Sequence, residues 1–243
     1  MNFDIVPWLS PKLSQSMAGV LYGLGHSVTF RRGDEVYSSP GFFEKLMFVR
    51  SGFVVKALQD PVRDEPLLIS MAGPGALCGS YENLYVRDRM PRKHWCLTTT
   101  HVLVVNQELL LKIADQNPVW QRELSSYSSS SVLCDRMAMY ANHAGTVDER
   151  FGALIVLMLQ ASNPSVIRTL ESKGVEWVEL PFLPSKGICA KLIGSSFEQA
   201  DNVSRSWVAD DDIRRRSGRL WLRRSTFARY WAWVKPFLQQ QSL

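Results

Sequence analysis

The sequence predicts an α+β fold in two domains, and three observations predict it. A glycine-punctuated series of short apolar runs covers residues 25–110, two helical segments hinge at Gly194, and a basic hairpin pattern fills 213–224. With 243 residues and 46% hydrophobic content, the chain can bury two ordinary cores.

The first half reads as all β. Strands are expected at Ser27–Phe30, Glu35–Tyr37, Leu46–Val49, Phe53–Leu58, Leu67–Met71 and His101–Val105. Gly33, Gly41, Gly52, Gly73, Gly75 and Gly79 fall between them at the spacing of tight corners in a small barrel or roll. A helical passage, Leu109–Ala114, then stops at Asn117-Pro118.

Proline suits a first helical position, so a long helix is expected from Pro118 to about Ala144. Along it Trp120, Leu124, Tyr127, Ser131, Cys134, Ala138 and Ala141 recur by four and three, the spacing of a coiled-coil seam, which predicts a dimerisation helix. The serine-rich run 125–131 opposes this, because serine competes for backbone hydrogen bonds, and a flexible linker is the alternative. Asp148–Gln160 is a strongly apolar helix opened by acids that suit its positive end, expected to be buried between the domains. The run 161–164 ends it, and Val175–Leu180 alternates like a strand. The resulting division is 1–117 roll, 118–145 helix and 146–243 C-terminal domain.

The C-terminal domain carries the most specific pattern. Ile188, Leu192 and Ile193 mark a short helix, Gly194 permits a left-handed turn, and Ser195 or Ser196 caps a second helix. Ala200, Val203 and Trp207 share its inner face. Phe197, Gln199, Asn202, Ser204 and Arg205 face outward, and Glu198 joins them as a polar candidate. Amides, carboxylates and guanidinium groups read base edges and grip phosphates, so this is a helix-turn-helix pattern. Ile213–Arg216 and Arg219–Arg224 then alternate around Ser217-Gly218 as a basic wing, with Arg214, Arg215, Arg216 and Arg219 as phosphate candidates. The triplet Asp210–Asp212 reads as helix-end acids facing that wing, and the aromatic tail 227–235 as a terminal helix packed on the same domain.

Other chemistries find little support. No G-x-S-x-G elbow, H-E-x-x-H helix or phosphate-cradling glycine loop is present, so the chain is not expected to be an enzyme. Cys78, Cys96, Cys134 and Cys189 are scattered, as are the four histidines, so no disulfide framework, metal or cofactor is expected. A redox role for Cys78 or Cys134 needs an exposed thiol of depressed pKa. A basic leader with an apolar core is missing from the N-terminus, and no window approaches the ~18 apolar residues of a membrane span. A soluble, cytoplasmic protein is expected.

Residues 30–37, 46–54, Gly73-Pro74-Gly75 and Gly79, followed by a long helix and a winged helix-turn-helix, resemble the Crp/Fnr regulators, with their cyclic-nucleotide-binding-like β-roll. The resemblance spans about Gly25 to Leu222. It implies a homodimer on palindromic double-stranded DNA, with RNA polymerase as a further candidate partner. It places a possible effector pocket at Gly79, Ser80, Arg89 and Arg92. Nucleotide-binding members carry a glutamate where Ser80 stands and an arginine-hydroxyl pair that 88–93 lacks, so a response to cyclic AMP is not expected and the effector stays open. In the recognition helix, Ser196 and Glu198 fit the family's pattern, whereas Phe197 and Asn202 replace arginines, so the target sequence must differ. Glu198 can accept from cytosine, Gln199 or Asn202 can pair with adenine, and Arg205 reaches phosphate. The alternative function is a β-roll sensing or interaction module whose winged helix binds a protein.

Overall fold

The computed structural model describes residues 3–38, 45–59, 65–85, 91–171 and 175–239. The chain divides into two compact units, Met1–Met137 and Ala138–Leu243.

The first unit opens with a segment that the sequence pattern does not reveal. Residues 3–13 run along the roll without forming a strand of their own. The Met71 N–H donates to the Trp8 carbonyl, Ser10 N–H donates to that of Met71, and Leu13 N–H donates to that of Gly75, each within 2.9 Å. Trp8 is fully buried and sits at φ 61°. Helix α1 (Gln15–Leu24) follows, capped by the Ser14 hydroxyl.

Eight antiparallel strands form two four-stranded sheets. They are β1 (His26–Phe30), β2 (Glu35–Ser38), β3 (Lys45–Ser51), β4 (Val54–Gln59), β5 (Pro66–Ala72), β6 (Leu77–Gly79), β7 (Arg92–Cys96) and β8 (Thr100–Asn106). One sheet has the order β1-β8-β3-β6, the other β2-β7-β4-β5. The period of two explains why β3 and β8 read as continuous apolar runs, since both their faces are covered. Met47, Val49, Val102 and Val104 belong to one core cluster with Tyr37, Val54 and Cys96 of the opposite sheet. Leu46, Phe48, Leu103 and Val105 belong to a second cluster with Met17 and Leu21 of α1. That cluster also takes in Leu110 of α2 (Gln107–Asp115) and Leu124 and Tyr127 of α3 (Pro118–Ala144). The serine run does not break α3, which is continuous through 125–131.

The second unit is built on α4 (Val147–Ser162), which a Thr146–Glu149 capping box starts. Almost every residue from Arg150 to Ala161 is buried. Helices α5 (Val166–Glu171), α6 (Lys186–Leu192), α7 (Phe197–Ala209) and α8 (Arg224–Gln239) accompany a three-stranded antiparallel sheet. Its strands are β9 (Trp177–Leu180), β10 (Ile213–Arg216) and β11 (Arg219–Arg223), in the order β10-β11-β9. The expected C-terminal helix is present as α8, and it packs with α7 against α4. Among the described residues, no helix is long and apolar enough to cross a membrane.

Candidate nucleic-acid interface

The turn between α6 and α7 is built from both ends. Ser185 caps α6, and Gly194 takes φ 61°, a left-handed conformation that ends the helix. Of the two candidate caps, Ser196 is the one used. Its hydroxyl accepts from Gln199 N–H at 3.1 Å, while the Gln199 side-chain oxygen accepts from Ser196 N–H at 3.0 Å. One edge of Gln199 is thereby spent on the cap.

The helix end at α6 also needs acceptors satisfied, and a residue the sequence reading passed over does this. Arg150, a buried arginine of α4, donates to the Ile193 carbonyl at 2.8 Å and to that of Asn142. Asn142 Nδ2 donates to the Leu192 carbonyl at 3.1 Å. A single arginine next to the acids that open α4, just before its apolar run, was the available signal.

Ala200 and Trp207 of α7 are buried, as the pattern requires. The Trp207 ring stacks on Tyr230 at 5.1 Å and meets Phe151 edge-on. The two oxygens of Asp148 accept from Trp207 Nε1 at 3.1 Å and Tyr230 OH at 2.7 Å. This clamp fixes the angle of α7 to α4 and α8.

On the outer face Ser196, Phe197, Glu198, Gln199, Asn202 and Arg205 are exposed, and Ser195 is half-buried. Asp201 is buried, although its neighbours place it near that face. Its carboxylate accepts from Lys186 of α6 and from Arg205 one turn along α7. Arg205, expected to reach phosphate, is therefore tied at one edge, with its side chain still 71% exposed. These two cations hold the Asp201 carboxyl below its ordinary value, Arg205 first and Lys186 second.

The hairpin turns at Ser217 and Gly218, both with positive φ, as a two-residue loop of primed type requires. Arg215 and Arg216 are exposed and form no ion pair among the described residues. Arg219 pairs with Glu179 at 3.0 Å, and Arg214 lies over the Trp177 ring. Of the acidic triplet, Asp211 pairs with Arg223 at 2.8 Å, and Asp212 pairs with Arg229 at 3.1 Å and accepts from Thr226.

The residues offered as an effector pocket do not form one set of ligands. Ser80 is buried and its hydroxyl oxygen lies 2.9 Å from the Lys45 carbonyl and 2.8 Å from the Gln107 side-chain oxygen, its one proton shared between them. Gly79 N–H donates to His94 Nδ1, Arg92 is half-buried in β7, and Arg89 lies outside the described residues. A different polar cluster ties the roll to α3. The buried Lys56 ammonium donates to Tyr81 OH at 2.7 Å and Ser131 Oγ at 3.3 Å, and lies 3.6 Å from Asp135. Ser70 Oγ donates to Asp135 at 2.7 Å.

That cluster also corrects the seam read along α3. Leu124, Tyr127, Ser131 and Cys134 are buried by their own unit, and Ala138 and Ala141 are likewise covered within a single chain. Tyr127 OH accepts from Leu77 N–H at 2.7 Å, and half-buried Trp120 donates to Ser16. The four-and-three spacing marks an inward face rather than a contact between copies. The exposed large apolar residues of α3 are others: Val119 at its start, then Val132, Leu133, Met139 and Tyr140. All four cysteines are free and buried. Burial pushes their thiols up, those of Cys134 and Cys189 to about 12, opposite to what a redox switch needs.

The sequence matches no family model and no curated protein. Solved structures do match over most of the chain. FixK2 from Bradyrhizobium japonicum aligns with a TM-score of 0.64 at 15% identity, covering 85% of this chain and 97% of that one. A CRP family transcriptional regulator from Thermus thermophilus aligns at 0.61 and 13% identity, covering 84% and 95%. A transcriptional regulator of the crp/fnr family from Eubacterium rectale aligns at 0.58 and 10% identity, covering 89% and 95%.

Proposed function

We propose, from the Crp/Fnr fold that this chain shares with those regulators, that it is a sequence-specific DNA-binding transcription regulator acting as a homodimer. One observation carries the reading. Helix α7, started by a reciprocal capping box, turns its polar side to solvent in the same unit as a hairpin whose Arg215 and Arg216 are exposed and form no ion pair among the described residues.

In this reading α7 enters the major groove. Glu198 and Asn202 meet base edges, Gln199 offers its remaining amide edge, and Phe197, 61% exposed, lies against a thymine methyl. Ser195, Ser196 and Arg205 meet the backbone near the helix start and along its flank. Arg214, Arg215, Arg216 and Arg219 of the wing supply sequence-independent affinity, each contact releasing counterions. Two copies joined through the exposed face of α3, at Val132, Leu133, Met139 and Tyr140, present their recognition helices about 34 Å apart. The work is done in the cytoplasm, with RNA polymerase as a further partner.

Cyclic AMP is not the effector in this reading. Ser80 stands where nucleotide-binding members have a glutamate, and its hydroxyl is engaged by Lys45 and Gln107. The Lys56, Tyr81, Ser131 and Asp135 cluster ties the roll to α3.

Selection of bound fragments from randomised duplex DNA, with purified protein and no added effector, tests the proposal. A palindrome with half-sites about ten base pairs apart is expected. Neutralising Arg214, Arg215, Arg216 and Arg219 together should lower affinity for every sequence. Saturable binding to a protein partner, without salt-dependent binding to DNA, would favour the interaction module instead.

A further inference from the structure

The wing sheet has two unlike faces. Its register sets Arg214 beside Trp221 and Arg223 beside Trp177, so with side chains alternating along each strand these four residues share one face. Ile213, Leu222 and Val178 occupy the other and are buried. Arg215 alternates with Arg214 and projects from that second side.

On the first face Arg214 reaches across β11, and its guanidinium carbon lies 3.6 Å from the centre of the Trp177 ring. Arg223 approaches the same ring at 5.2 Å. A guanidinium stacked on an indole keeps its plane fixed while its N–H edge stays available for a bidentate acceptor. Arg214 Nε, Trp221 Nε1 and Arg223 Nε are shielded from solvent and have no hydrogen-bond partner among the described residues. Arg223 and Arg219 have carboxylate partners in Asp211 and Glu179, whereas Arg214 has none among the described residues. Glu179, the cross-strand partner of Trp221 on this face, is taken up by Arg219, so the ring-stacked Arg214 guanidinium is left to match an anionic, acceptor-only ligand, which is the chemistry of a DNA phosphate.

We propose that Trp177 is a positioning residue that holds Arg214 as a phosphate clamp on this face of the wing. The inference rests on the DNA-binding reading. Trp177 never touches the DNA. It acts by restricting Arg214 to the orientation in which two N–H groups meet one phosphate.

The test is anisotropy titration of a fluorescein-labelled duplex at several salt concentrations, with the full chain and its Trp177→Ala, Trp177→Phe and Arg214→Gln variants. Trp177→Ala and Arg214→Gln should each weaken binding about fivefold and reduce the slope of log affinity against log salt by about one, the signature of one lost phosphate contact. Combining them should add little, and Trp177→Phe, which keeps a ring under the guanidinium, should retain most of the affinity. A purely structural role would lower thermal stability and leave the salt slope unchanged. If the wild-type chain binds duplex and the slope stays unchanged in both Trp177→Ala and Arg214→Gln, the clamp is wrong and the DNA-binding reading survives. If the wild-type chain binds no duplex at any salt, both are wrong, and an Arg214-dependent protein partner becomes the reading to pursue.

Discussion

The Asp201 carboxylate accepts from Arg205 Nε at 2.7 Å, one turn along the same helix, and also from Lys186 of the preceding helix. One buried acid thus pins α6 to α7 and restrains an arginine on the outer face of α7. The carboxyl is held below its ordinary value near 3.8, so its contribution to stability is fully present above that value and is lost as pH falls through the lower, folded one. Asp201→Asn should lower the melting temperature near neutral pH, and its deficit against wild type should shrink below about pH 4. Thermal melts across acid pH check this.

Gly152 of α4 faces the ring of Tyr230, and a Cβ built there would lie 2.2 Å from it. Alanine is ordinarily the better helix former by about 1 kcal/mol. Here the sign reverses, because Tyr230 is fully buried and tied through Asp148 to Trp207. Gly152→Ala should destabilise by about 1–3 kcal/mol in denaturant unfolding.

Lys56 brings a positive charge into the seam between the roll and α3, where Asp135 and two hydroxyls compensate it. Weakening that compensation costs more than removing the charge itself. Asp135→Ala should cost about 2 kcal/mol. Lys56→Met, which removes the ammonium and keeps the stem, should cost less. Unfolding of the two variants side by side ranks them.

In the proposed dimer, one face of α3 packs within its own unit and the opposite face joins the copies. Leu133→Glu, on the exposed face, should give a folded monomer by light scattering and lose DNA affinity. Leu124→Ala, on the buried face, should instead cost about 2–5 kcal/mol of stability.

Four buried thiols of raised pKa should react slowly with a disulfide reagent at neutral pH. Full labelling is expected only in denaturant. Rapid labelling of Cys78 or Cys134 in the native chain would revive a redox role.

The sequence by itself determined the local architecture. Gly194 and Ser196 specify the helix-turn-helix because a left-handed turn and a cap depend on single residues. Ser217-Gly218 specifies the hairpin for the same reason, and the glycine-punctuated runs mark much of the roll, although β6 and β7 were too short or too polar to be read. Tertiary structure alone decided which face of each element is covered. The spacing along α3 is the same for a seam between copies and a stripe against a roll, and only the packed roll shows that Tyr127 and Ser131 point inward. Arg150, Lys56 and the Lys186 partner of Asp201 were invisible, because those contacts join different elements. The 3–13 segment carries no period of its own, since it is held by hydrogen bonds to Met71 and Gly75 that exist only once the roll has formed. Backbone geometry is set by neighbours in the chain, whereas charge pairing and burial are set by neighbours in space.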